Sequence, residues 1–130
     1  MRVVFLYASL LALLFVALSV RTLLLRRRLR IGIGDGGDPR MLGAMRAHAN
    51  FAEYVPLGLL LLFFAEAAGT TGPLVHALGA SVLAGRVSHA FGVSRIDEQY
   101  AFRVVGMALT LGPIVVAAGL LAAHVAQRAP

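Results

Sequence analysis

"RAHANFAEYVPLGLLLLFFA", residues 46–65, begins with an arginine, a histidine, an asparagine and a glutamate and runs straight into an apolar stretch. Arg46, Asn50 and Glu53 are spaced four and three apart, which puts them on one face of a helix. Polar groups at the mouth of an apolar helix read as loop residues, as part of a transport path, or as one wall of a pocket for a charged ligand. The rest of the chain chooses between these readings.

The chain has 130 residues, 59% of them hydrophobic and 14% charged, with a mean hydropathy of +0.83. A soluble domain this small needs more polar surface, because surface dominates at this size. The expected solvent is therefore lipid. The formal net charge of +6 comes from arginine alone, as lysine is absent. Clustering beside apolar runs makes these arginines membrane flanks rather than a nucleic-acid surface. With no cysteine, disulfides, thiolate metal sites and a cysteine nucleophile are excluded. Any thiol chemistry has to use a thiol carried by the substrate.

Val3 to Val20 carries no charge and runs into Arg21, Arg26, Arg27, Arg28 and Arg30, a stop-transfer flank that favours a retained span over a signal peptide. "AGTTGP" (68–73) is a tight break, with Pro73 suited to the first turn of a following helix. "GVSRIDEQ" (92–99) is a short polar connection, and Val104 to Gln127 is again uncharged, with Pro113 as a kink. This gives one domain with spans at about 3–24, 46–67, 73–91 and 101–126, an all-α integral membrane four-helix bundle. The Gly-rich "IGIGDGGDPR" (31–40) lacks a preceding strand and a Gly-Lys-Ser/Thr ending, so it is a connector and not a phosphate loop. Arginines concentrate in the first and third loops, which on the positive-inside rule places both termini outside the cytoplasm.

Two further polar sets sit at the same end of the bundle. Arg86 and His89 share a face of the third span, and Gln99 and Arg103 share one at the start of the fourth. An ionised group at mid-bilayer costs about 2.5–3.5 kcal/mol on insertion scales, less near the interface. Arginines that snorkel to headgroups, with Glu53 paired to one of them, would explain any single member. The combination of Arg21, Arg46, Asn50, Glu53, Arg86, His89 and Arg103 points instead to a site for a small anion bearing carboxylates, which guanidinium groups grip bidentately. His76 and His124 read as hydrogen-bonded packing residues. His89 and Glu53 alone do not make a metal site.

The stretch 46–57, "RAHANFAEYVPL", resembles the second-helix signature of the MAPEG superfamily, the membrane-associated proteins in eicosanoid and glutathione metabolism. The order and spacing of Arg46, Asn50, Glu53 and Pro56 carry the resemblance, helped by "VR" at 20–21, "GR" at 85–86 with His89, and Arg103. It implies a bundle assembled as a homotrimer, with glutathione as co-substrate held between subunits, while the all-Arg, Ala-, Gly- and Val-rich composition fits a bacterial member of the inner membrane. It further implies that Arg21, Arg46, Asn50, Glu53, Tyr54, Arg86 and His89 contact glutathione. Arg103 would be the catalytic residue that stabilises the thiolate, and a lipophilic electrophile would enter from the membrane. Ala49, Val93, Val104 and Met107 depart from the eicosanoid-synthesising members and argue against a specialised synthase.

Three functions follow as expectations. The first is a glutathione-dependent transferase or peroxidase acting on lipophilic electrophiles. The second is a non-enzymatic member that binds an anionic lipid or metabolite. The third is a small proton-coupled exporter using Glu53, although in such exporters the acid usually lies in the first span, which here has none.

Overall fold

The computed structural model describes residues 2–95 and 99–128, which form four α-helices and no other regular element among the described residues. These are α1 (Arg2–Leu29), α2 (Pro39–Ala67), α3 (Gly72–Val93) and α4 (Tyr100–Ala126). α1, α2 and α4 are each long and apolar enough to cross a membrane. α3 has the length but carries His76, Arg86 and His89, which lower its apolarity. Arg86 and His89 are buried inside the bundle, so the polarity of α3 is directed inward at that end.

The helices run past the apolar spans at the arginine-rich end. α1 continues through Arg26, Arg27 and Arg28, whose charge suits the negative end of the helix dipole. It closes with Ile31 N–H donating to Arg26 O at 3.1 Å, a bond that needs a left-handed residue between, and Arg30 takes it at φ 55°. α2 starts at Pro39 because Asp38 caps it, accepting from Arg40 N–H at 2.8 Å and Met41 N–H at 3.4 Å. At the other end Gly69, at φ 96°, ends α2 and Pro73 sits in the first turn of α3. Of the 92–99 connection, residues 96–98 lie outside the described residues.

α1 packs on α2 and α3, α2 also packs on α3 and α4, and α3 and α4 form the most extensive pair. Among the described residues α1 and α4 do not touch. The core runs through Leu11, Phe51, Val55, Leu62, Val75 and Val82. In lipid, apolar burial separates helices from bulk no better than hydrocarbon does, so close packing and interhelical hydrogen bonds must hold them. Both are present. Gly85 and Gly106 let α3 and α4 approach so closely that a Cβ on Gly106 would lie 2.6 Å from His89 N and 2.7 Å from Gly85 O. Glu66 accepts from Val3 and Val4 N–H at 3.1 and 3.2 Å, ties α2 to α1, and satisfies two of the unpaired amides at the start of α1. The Tyr7 hydroxyl meets His76 Nδ1 at 3.3 Å, so His76 is hydrogen-bonded as expected, although it stands exposed on α3 and is not buried in the packing. Ser19 Oγ and His48 Nε2 lie 3.0 Å apart between α1 and α2.

Pro113 sits inside α4 and cannot donate to the carbonyl of Leu109, one turn back. That carbonyl accepts instead from the Ser81 hydroxyl of α3 at 2.8 Å. A neighbouring helix thus repairs the break, as a spanning helix requires.

Candidate ligand site

At the arginine-rich end a cavity of ≈ 280 Å³ opens between α2, the end of α3 and the start of α4. Its polar lining is Arg46, Asn50, His89, Arg95 and Arg103, and its apolar lining includes Leu42 and Val93. The close approach of α2 to the end of α3 shapes one side of it. A Cβ on Gly43 would meet Val93 O at 2.7 Å, so only glycine allows this contact. Gly92 brings α3 close to Arg103 N as well, 3.0 Å from where its Cβ would be.

The candidate residues divide into three groups. Arg46, Asn50, His89 and Arg103 share the cavity. Arg46 stands exposed at the rim, Asn50 and Arg103 are half-buried, and His89 is buried. Arg86 lies behind them, 1% exposed. Its Nε donates to Thr110 Oγ1 at 2.9 Å, one terminal nitrogen to Asn50 Oδ1 at 2.5 Å, and the other to Gly106 O at 3.2 Å. Its guanidinium carbon is also 5.7 Å from the centre of the Tyr54 ring. Arg86 therefore ties α2, α3 and α4 together and fixes the Asn50 amide. The third group, Glu53 and Arg21, lies elsewhere. Glu53 is exposed on α2. Arg21 donates to the Ser94 hydroxyl, which donates in turn to Ala90 O, in a separate groove beside α1.

Arg95 also lines the cavity, though its only visible sequence feature was charge in a short connection. Its guanidinium carbon lies 5.0 Å from the Phe91 ring centre, and that of Arg103 lies 5.3 Å from the Tyr100 ring centre. Neighbouring aromatic faces thus orient two of the three cavity arginines. Met107, one of the departures, places its sulfur 3.5 Å from an Arg86 nitrogen, and Val93 forms an apolar wall. Among the described residues no three metal-ligating side chains gather.

The arrangement can do three things chemically. Guanidinium groups at several angles can hold carboxylates. Asn50, with its oxygen taken by Arg86, turns its amide nitrogen into a donor for the cavity. A guanidinium beside a thiol favours the thiolate.

Comparison with known proteins accords with this geometry. The model of the MAPEG family matches residues 4–123. The chain is 37% identical over 105 residues to the inner membrane protein YecN of Escherichia coli K12, covering 81% of this chain and 79% of that protein. The same figures hold for YecN of Escherichia coli O6:H1. This chain is thus an all-helical membrane protein that belongs to the MAPEG family.

Proposed function

We propose that the cavity binds a small thiol of the glutathione type, carrying carboxylates and peptide groups, and that the protein uses it against lipophilic electrophiles. The observation that carries this is the convergence of Arg46, Arg95 and Arg103 with the Asn50 and His89 side chains on one cavity at the mouth of the bundle. Arg46 and Arg95 grip carboxylates, and Asn50 donates to a carboxylate or peptide oxygen. Arg103 lies at the start of α4, where it would meet the thiol and raise its thiolate fraction at neutral pH. The thiolate then attacks an electrophilic carbon of a molecule dissolved in the lipid beside the bundle, forming a C–S bond as the leaving group departs with its bonding electron pair. The cavity is at the small end of ligand pockets, which run from roughly 300 Å³. That size fits a site completed by a neighbouring subunit in a homotrimer, with Glu53 on a face open to such a neighbour. The arginine-rich end faces the cytoplasm in this reading, with both termini on the other side.

Titration of the purified protein with glutathione, followed by ultraviolet thiolate absorbance and by calorimetry, tests this. Saturable binding is expected, lost in Arg46→Ala. In Arg103→Ala the thiolate signal should disappear while calorimetric binding persists. Absence of saturable binding to the intact protein overturns the proposal. Binding without a thiolate signal supports the non-enzymatic reading, in which the same cavity holds an anionic metabolite.

A further inference from the structure

A second concave surface lies beside α1, separate from the ligand cavity. Leu13, Ala17, Val20 and Leu24 succeed one another at three- and four-residue intervals, forming a stripe that reaches Arg28. From Leu13 to Arg28 the stripe is about 23 Å long at the helical rise. Its apolar side chains are far from buried: Leu13 is 69% exposed and Leu24 58%. Ala17 leaves a trough midway, and the groove encloses ≈ 830 Å³. At its upper end three guanidinium groups line the same groove, from Arg21 and Arg28 of α1 and Arg40 of α2. Arg21 is held by Ser94 at the end of α3. Arg40 is steadied by Asp38, which accepts from its Nε at 3.0 Å and from one terminal nitrogen at 2.6 Å. Five donors per guanidinium leave both arginines with N–H groups to offer.

An apolar trough of this length on a membrane-spanning helix, ending in cations at the interface, matches one kind of molecule. We infer that this groove is a binding site for an anionic phospholipid, with an acyl chain along the Leu13–Leu24 stripe and the phosphate among Arg21, Arg28 and Arg40. Complementarity of both parts selects the occupant. A free phosphate would leave the apolar trough unused, and a zwitterionic lipid would meet cations with only part of its headgroup charge. Basic pockets between spanning helices recognise anionic headgroups in this way.

The test uses the full-length protein in nanodiscs of mixed phosphatidylglycerol and phosphatidylcholine, with retained lipid counted by native mass spectrometry after release. Phosphatidylglycerol is expected to be retained preferentially. Arg28→Gln with Arg40→Gln should lower that preference roughly thirtyfold, as expected for two surface arginines. Arg27→Gln with Arg30→Gln removes equal charge from the same end but off the groove, and should retain most of the preference. Ala17→Phe should fill the trough and release lipid from an unchanged oligomer. Equal losses in the two double variants would mean diffuse attraction of the basic end and overturn the site. Dissociation of the oligomer by Ala17→Phe, with retained lipid unchanged, would make the groove a subunit contact and overturn it as well.

Discussion

Arg86 donates to Asn50 Oδ1 at 2.5 Å, so a fully buried arginine dictates which end of the Asn50 amide faces the ligand cavity. Replacing Asn50 by aspartate separates fold from function. The introduced carboxylate would keep the acceptor for Arg86 and add an opposite charge beside it, so the helix junction holds. It would also replace the cavity-facing N–H with an oxygen that repels carboxylates. Asn50→Asp is expected to match or exceed the parent in thermal stability while weakening glutathione binding at least tenfold. Loss of stability together with affinity would show that Asn50 serves the fold alone.

Ser81 and Pro113 form the second testable pair. Removing the Ser81 hydroxyl leaves the Leu109 carbonyl without its donor, and Ser81→Ala is expected to cost about 1 kcal/mol. Pro113→Ala restores a backbone N–H to that carbonyl, so Ser81→Ala should then be nearly neutral. Thermal unfolding of the double-mutant cycle in detergent measures the coupling. An equal cost in both backgrounds would mean that Ser81 packs and does not repair the helix.

The four helices were legible because each apolar run is long and the breaks are marked by Gly, Pro and charge. The end of the connector was less so. Residues 39–45 extend α2 below its apolar run, and the cue was the "DPR" at 38–40, an N-cap acid followed by a proline at N1. Arg46, Asn50, His89 and Arg103 were all placed at one end by spacing and topology, and the structure brings these four to one cavity. Spacing could not separate exposed Arg46 from buried Arg86, since both sit on a helical face with polar neighbours. That difference is made by the approach of Gly85 to Gly106, a contact between distant parts of the chain. Arg95 read only as a loop charge because it follows the end of α3, where no periodicity gives a side chain a direction.

Asp38 gives the fold a defined acid response. Its hydrogen bond with Arg40, first among the causes, holds its pKa down to about 2 against the usual 3.8. A carboxyl depressed in the folded state contributes stability that is fully present above its unfolded value. The contribution fades as pH falls from 3.8 through about 2. Asp38→Asn can still cap α2 but does not titrate. The parent's margin over Asp38→Asn, followed by thermal unfolding in detergent, should therefore shrink across that window and stay level above it. A margin that stays constant down to the lowest pH would show that the Asp38–Arg40 pair is not coupled to folding.

The approach of α3 to α4 predicts opposite outcomes for glycines in one helix. On Gly106 a methyl group would lie 2.6 Å from His89 N and 2.7 Å from Gly85 O, both backbone atoms that cannot step aside. Gly106→Ala must push the helices apart, stretching the 3.2 Å bond from Arg86 to Gly106 O and shifting His89 in the cavity wall. A loss of about 1–3 kcal/mol is expected, with weaker ligand binding. At Gly112 and Gly119, also in α4, a methyl group meets nothing within 4 Å. There alanine gains helix propensity, worth up to about 1 kcal/mol. Unfolding temperatures of the three single variants decide the matter: Gly106→Ala should fall while Gly112→Ala and Gly119→Ala hold or rise. A uniform response at all three would mean that the α3–α4 seam is not packed through its glycines.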